Sequence, residues 1–296
     1  MKLLLVFNAK AGAGRAERLL PRLRAEVEKF AVLDVLQTGC AGEAVRLVAE
    51  ADVSAYDGLI AVGGDGTLFE VVNGLYTHDK SKRIPLGLIP AGTGNAFARD
   101  LGLAAGDWEK AVGLIGAGHL RTVDVGRVET PAETYYFLNI VGAGLVVDAL
   151  RTAEKLKFIR IAAYTLAALW HVFKLKSYPL SIEIDGKKIQ KDSMFLEISN
   201  TRYTGSSFLI APDAVLDDGL LDVTLLCKLS RPRLLRIFPT IYRGHHVRNK
   251  EVLTYKAKQI RIIAPGNLLL APDGEVRGCT PATVTCQQRD LQIFCP

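Results

Sequence analysis

Three times in the first hundred residues an uninterrupted apolar run stops at small residues and gives way to a helical pattern. Residues 3–7 end at Asn8, followed by the small-residue stretch 9–14 and the amphipathic segment 15–30. Residues 59–62 run into Gly63-Gly64-Asp65-Gly66-Thr67 and then Leu68-Phe69-Glu70-Val71-Val72. Residues 85–89 run into Pro90-Ala91-Gly92-Thr93-Gly94-Asn95 and the helical 96–101. Continuous rather than alternating apolar runs are what strands covered on both faces require, and strand-turn-helix repeats build a mostly parallel sheet with helices outside. In such an open sheet the turns gather at the carboxyl edge, where ligands bind.

The glycines suit an anion. They leave backbone N–H groups uncovered and free to take positive φ, and the helix N-terminus behind each turn adds its positive dipole end. Asp65 would repel a bare phosphate and makes sense only beside a metal, a cation or a hydroxyl proton, so the pattern points to a nucleotide with magnesium. A plain strand-turn-helix connection with Asp65 as helix cap explains the first loop alone equally well; the second loop favours the nucleotide. No GxxxxGK[ST] run is present, and Gly12-Ala13-Gly14 lacks the third glycine of a dinucleotide fingerprint, so the site is of another kind.

A chain of 296 residues exceeds what one core usually organises, so two domains are expected. Strands and helices alternate up to residue 122. From 123 onward the texture is strand-like (135–141, 180–184, 193–199, 221–226, 259–264 and 283–286), with turns at Asp185-Gly186 and Asp218-Gly219 and helical stretches at 146–174 and 231–243. That texture predicts an antiparallel β domain. Residues 291–294 read as one more strand returning to the first domain.

Met1-Lys2 leads straight into a strand, with no sign of a signal peptide. No apolar run reaches the roughly 18 to 20 residues of a membrane span; the longest, 161–173, falls short. Cys40, Cys227, Cys279, Cys286 and Cys295 show no CxxC spacing, so neither a zinc site nor a disulfide framework is indicated, and a reducing cytoplasm is the expected location. The net charge of +6 is uneven: residues 223–250 hold Lys228, Arg231, Arg233, Arg236, Arg243, Arg248 and Lys250 and no acid. With Leu234, Leu235, Ile237, Phe238, Ile241 and Tyr242 interspersed, this segment is expected to meet an anionic bilayer, helped by helical residues 155–176; a packed helix with a solvated basic face is the alternative.

The ordered motifs, residues 63–75 and 89–103 with Val123-Asp124-Val125-Gly126-Arg127, Phe137-Leu138-Asn139, Gly142-Ala143-Gly144, Ala211-Pro212-Asp213-Ala214, Leu216-Asp217-Asp218-Gly219 and Asp273-Gly274-Glu275, resemble the diacylglycerol kinase and sphingosine kinase group of soluble lipid kinases over nearly the whole chain. The resemblance implies an α/β plus β fold: a three-layer α/β nucleotide-binding domain (1–122) followed by a β-sandwich-like lipid-substrate domain (123–296). It implies an ATP-dependent lipid kinase needing Mg2+, acting on diacylglycerol or a similar lipid at the membrane surface, with no nucleic-acid partner and an assembly compatible with a homodimer. It assigns Glu275 as the base for the lipid hydroxyl, with Asp65 and Asp124 in the catalytic and magnesium network. It places the nucleotide on Asn8, Thr38, Gly63, Gly64, Asp65, Gly66, Thr67, Glu70, Gly92, Thr93 and Asn95, and a structural metal on Asp218 with the carbonyls of Val215 and Leu220. Spacing alone assigns Glu275 no role, and an Asp-Asp-Gly turn by itself is more often just a turn.

One departure stands out. Ala96 occupies a position where the diacylglycerol type commonly has Asp and sphingosine kinases have Ala. A sphingoid or ceramide-type kinase, an NAD kinase-like phosphotransferase and a catalytically silent lipid or nucleotide sensor are the alternatives.

Overall fold

The computed structural model describes residues 1–155, 176–205 and 207–295. The chain divides into two compact units, Met1–Val123 with Arg289–Pro296, and Asp124–Gln288. Both crossings fall inside strands.

The first unit runs β1 (Lys2–Asn8), α1 (Ala11–Val27), β2 (Val32–Thr38), α2 (Glu43–Glu50), β3 (Gly58–Gly63), α3 (Asp65–Leu75), β4 (Leu86–Pro90), α4 (Ala96–Asp100) and α5 (Trp108–Ala117). Its parallel sheet has the order β4-β3-β1-β2. Leu3 to Phe7 and every residue of β3 and β4 are buried, which explains why these strands appear in the sequence as unbroken apolar runs. α1 begins at Ala11, earlier than the amphipathic pattern suggests, and its first turns are irregular, with Gly12 and Gly14 at positive φ.

The second unit contains β5 (Leu120–Glu129, from Asp124 on), β6 (Thr134–Phe137), β7 (Ile140–Gly144), α6 (Leu145–Lys155), β8 (Tyr178–Ile184), β9 (Lys187–Ser199), β10 (Tyr203–Thr204), β11 (Phe208–Leu209), β12 (Leu221–Cys227), α7 (Arg231–Ile237), β13 (Val252–Ala257), β14 (Gln259–Ile263), β15 (Leu270–Pro272) and β16 (Ala282–Phe294, up to Gln288). Its strands pair antiparallel in the order β13-β12-β9-β8-β14-β16, with β7 also on β9 and β15 on β7. Asp185 and Gly186, at φ 44° and 85°, make the two-residue turn that sets the β8–β9 register. The far end of β16 belongs to the first unit, where Ile293 pairs parallel with Leu86.

Several expected elements differ. Residues 135–141 form two strands, not one, because the Asp273 carboxylate takes the N–H groups of Leu138, Asn139 and Ile140 and holds the chain out of line there. The helix expected over 231–243 becomes 3-10 from Phe238 to Arg243, at Pro239, which has no N–H to give. Of the helix expected over 146–174, α6 ends at Lys155; the remainder, with most of the stretch 155–176, lies outside the described residues.

The basic segment is also changed in character. Leu234, Ile237 and Phe238 belong to the interior, and Leu234 and Phe238 pack with Met194, Leu226 and Val252. Arg233 forks onto Glu251. Half of the apolar residues expected at a bilayer are thus in the core, while Leu235 and Tyr242 remain outside at 38% and 41% exposure. Among the described residues no helix is long and apolar enough to cross a membrane, and all five cysteines are free thiols.

Candidate nucleotide site and acidic turns

In the first unit the chain turns toward β2 on one side of β1 and toward β4 on the other side of β3. The carboxyl ends of β1 and β3 therefore flank a topological switch point. The first turns of α3 tie the neighbouring loops to this point. Asn8, at the end of β1, donates from Nδ2 to Thr67 Oγ1 at 3.1 Å and accepts Lys10 N–H on Oδ1 at 3.1 Å. Glu70 accepts the N–H groups of Gly42 (2.7 Å) and Ala44 (3.1 Å), so its carboxylate caps α2. Asp65 accepts the N–H groups of Ala96 (3.1 Å) and Phe97 (3.4 Å) and so caps α4, the next helix in this group, rather than its own. Burial pushes the Asp65 carboxyl above its ordinary value, and the N–H donors oppose the shift. The acids in and beside the first glycine loop are therefore fasteners, one reaching each way along the sheet edge.

The glycines work by absence of bulk. None of Gly63, Gly64, Gly66, Gly92 and Gly94 takes positive φ; Asn95 does, at 50°. What the loops require is closeness. A Cβ on Gly92 would lie 2.3 Å from Gly64 Cα, and one on Gly94 would lie 2.9 Å from the Asp65 carboxylate. Gly63 O accepts the N–H groups of both Ala91 and Gly92, and the buried Asn95 amide closes the second loop onto Gly92 from both sides. Thr93 stands exposed at the tip, whereas Thr38 is buried with its hydroxyl toward Phe7 O. The structure thus gathers the expected nucleotide residues along one sheet edge but makes Asn95 and Glu70 braces for the loops.

Because the Gly92–Gly64 contact is backbone against backbone, Gly92→Ala must displace one loop. Its expected effect is a fall of roughly 100-fold in turnover, with the secondary structure retained, read by kinetics and circular dichroism on the same preparation.

In the second unit the acids sort into two turns. Asp124 is fully buried; its Oδ2 accepts Gly219 N–H at 2.6 Å, and its own N–H reaches Leu216 O. Asp218 accepts Leu220 N–H on one oxygen (3.0 Å) and the Lys256 ammonium on the other (3.0 Å), and Lys256 also meets Asp222 at 3.2 Å. Leu220 thus turns its amide toward Asp218, and the cation at this turn is a lysine. Among the described residues no group of three or more Cys, His, Asp or Glu side chains is placed to hold a metal. Burial, followed by the nearby Asp124, pushes the Cys286 thiol up to about 12.

The other turn is Pro272-Asp273-Gly274-Glu275, closed by Glu275 N–H on Pro272 O at 2.8 Å, with φ of 43° and 89° at Asp273 and Gly274. Asp273 is buried at 5% exposure and spends its carboxylate on the 138–140 backbone, which leaves Glu275 projecting exposed from a fixed turn. Sequence reasoning assigned nothing to Asp273; the Asp-Gly pair does signal a positive-φ turn, but not its partner. It also missed Asn200, whose amide ties Asp124 O to Leu138 O at 2.9 Å each.

A glycine-turn site at a parallel switch point, followed in the chain by an antiparallel β unit with a fixed acidic turn, is an arrangement suited to a phosphate-bearing ligand. Residues 2–128 match the diacylglycerol kinase catalytic domain, and residues 139–295 match the YegS C-terminal NAD kinase beta sandwich-like domain. A diacylglycerol kinase of Bacillus subtilis is 34% identical over 88% of this chain and 84% of its own length, and one from Staphylococcus carnosus is 31% identical over 99% and 94%. A crystal structure from Bacillus anthracis, assigned as a diacylglycerol kinase, superimposes with a TM-score of 0.83 at 28% identity over 100% of this chain and 97% of its own. The chain belongs to the diacylglycerol kinase family. An NAD kinase from Archaeoglobus fulgidus, solved in complex with ATP, shares the fold alone, with a TM-score of 0.56 at 13% identity over 99% of this chain and 93% of that one.

Proposed function

We propose that this protein is an ATP-dependent lipid kinase that transfers the γ-phosphate to the free hydroxyl of diacylglycerol. The observation that carries this reading is the convergence of Asn8, Thr67 and the apposed turns of Gly63-Gly64 and Gly92 at the switch point of a chain belonging to the diacylglycerol kinase family. Phosphoryl transfer asks for alignment, charge neutralisation and a proton acceptor rather than covalent chemistry from the protein. In this reading the first unit holds ATP, with magnesium neutralising its phosphates, and Glu275 takes the hydroxyl proton. Incubation with labelled ATP, magnesium and a panel of detergent-dispersed lipids is expected to label diacylglycerol. Labelling of NAD, when it is added to the same incubation, in place of any lipid, or nucleotide binding without turnover of any lipid, overturns it.

A sphingoid acceptor is the second reading, since Ala96 stands where the diacylglycerol type commonly has Asp and offers Asp65 only its own backbone N–H. The panel therefore includes sphingosine and ceramide. The relevant membrane contact is peripheral, through Leu235, Tyr242 and the basic residues of 228–250, and liposome binding that ignores lipid charge and salt rules it out.

A hard cation at the Val215–Asp218–Leu220 turn would share Asp218 with Lys256. Asp218→Ala is expected to lower the melting temperature and to remove any rise that magnesium gives the parent; an unchanged magnesium response takes the metal away from this turn.

A further inference from the structure

The Lys256 ammonium stands where three oxygens converge. Its Nζ donates to the Asp213 carbonyl at 2.9 Å and to Asp218 Oδ2 at 3.0 Å, and pairs with Asp222 Oδ2 at 3.2 Å. An ammonium has three protons to give and accepts none, so this set answers it in full. The Lys256 side chain is 34% exposed and those of Asp218 and Asp222 are 27% and 14% exposed, so the group is partly shielded from solvent.

The local fold explains the convergence. Asp222 and Lys256 are direct partners across β12 and β13, which puts their side chains on one face of the sheet. Asp218 lies in the turn that leads into β12, and Asp124 holds the same turn through Gly219 N–H. Two carboxylates and a backbone carbonyl are the oxygen donors that magnesium or calcium takes. A cavity of about 170 Å³, lined in part by Asp213, Asp222, Thr224, Thr254 and Lys256, adjoins them and has room for the waters a magnesium ion keeps. The metal that the family resemblance places at this turn fits poorly while Lys256 is there, because Asp218 gives one oxygen to Leu220 N–H and the other to the ammonium.

We propose that Lys256 is the resident cation of this turn, holding Asp213, Asp218 and Asp222 together as a bound metal would, and that the same oxygens form a latent divalent-cation site that opens when the ammonium is removed. The inference is independent of which acceptor the protein phosphorylates. A cation tethered to the chain is present whatever the metal supply and loses no translational freedom on binding, so the β unit keeps its clamp without free metal. With the ammonium gone, Asp218 and Asp222 are left as neighbouring like charges beside the Asp213 carbonyl, a set that a hard divalent ion satisfies.

The test follows thermal unfolding of the parent and of Lys256→Met, without nucleotide, in a chelator and then in magnesium or calcium. The parent is expected to melt at the same temperature in all three. Lys256→Met keeps the apolar stem and loses the charge; in chelator it is expected to melt about 3 to 6 °C lower than the parent. Calcium or magnesium should restore most of that loss, by an amount that grows with the logarithm of the metal concentration, as binding to the native state alone requires. Adding Asp222→Asn to Lys256→Met takes away a ligand and should abolish the recovery. Lys256→Gln replaces the methionine variant if that one is insoluble. A parent that magnesium stabilises through Asp218 overturns the proposal, as does a Lys256→Met protein that equals the parent in chelator or that neither metal restores, or a double variant that recovers as fully as the single one.

Discussion

Glu275→Gln is expected to bind ATP as the parent does and to phosphorylate lipid roughly 100 to 10,000 times more slowly, the range associated with losing a general base. The amide preserves the size of the side chain and cannot take a proton. The turn that presents it is fixed from below, by the Glu275 N–H on Pro272 O and by the burial of Asp273, so the substitution should not alter the backbone. Single-turnover phosphorylation measured beside nucleotide affinity separates the two steps. A glutamine variant that turns over at near the parent rate removes Glu275 from the chemistry.

Two residues earlier the expected result has the opposite character. Asp273→Ala strips the acceptor from the N–H groups of Leu138, Asn139 and Ile140, all in buried backbone, and should cost about 3 to 5 kcal/mol of stability, since charged hydrogen bonds contribute about 1.5–3 kcal/mol and orphaned donors add their own penalty. Thermal or urea unfolding measures it directly. Activity should fall as well, because the Glu275 turn loses its anchor, but the loss should track the fraction unfolded far more closely than in Glu275→Gln. A stable Asp273→Ala protein contradicts the account of the 138–139 break.

These paired residues show which parts of the molecule could be read from the sequence. The α/β and β textures were legible because burial writes itself locally: a strand covered on both faces is apolar at every position, and β1 and β3 need no distant partner to be recognised. The glycine loops were legible as a site, yet their mechanism was not. Nothing in the run from Gly63 to Thr67 says that Gly64 must admit the backbone of Gly92, or that Asp65 caps α4 and Glu70 caps α2. Asp273 and Leu138 lie 135 residues apart, so the interruption that splits one expected strand into two leaves no local trace. The burial of Glu197 in β9 was invisible for a related reason: an acid in an amphipathic strand normally marks the solvent face, and nothing local says that this face is covered.

The two passages of chain between the units have a consequence for how the molecule is made. The second unit is an insertion within the first, whose remaining residues begin at Arg289. Those residues are integral. Ile293 pairs with Leu86, Phe294 fills the space beside Gly58, and Asp290 receives Tyr76, Lys80 and Arg83. On the ribosome, therefore, the amino-terminal half emerges first but must wait, one strand short at the edge of β4, until the entire β-rich unit has been translated. Capacity to hold nucleotide should be acquired only after residues 289–294 have emerged, and a fragment cut after residue 123 should behave as an unfinished protein rather than as an independent domain.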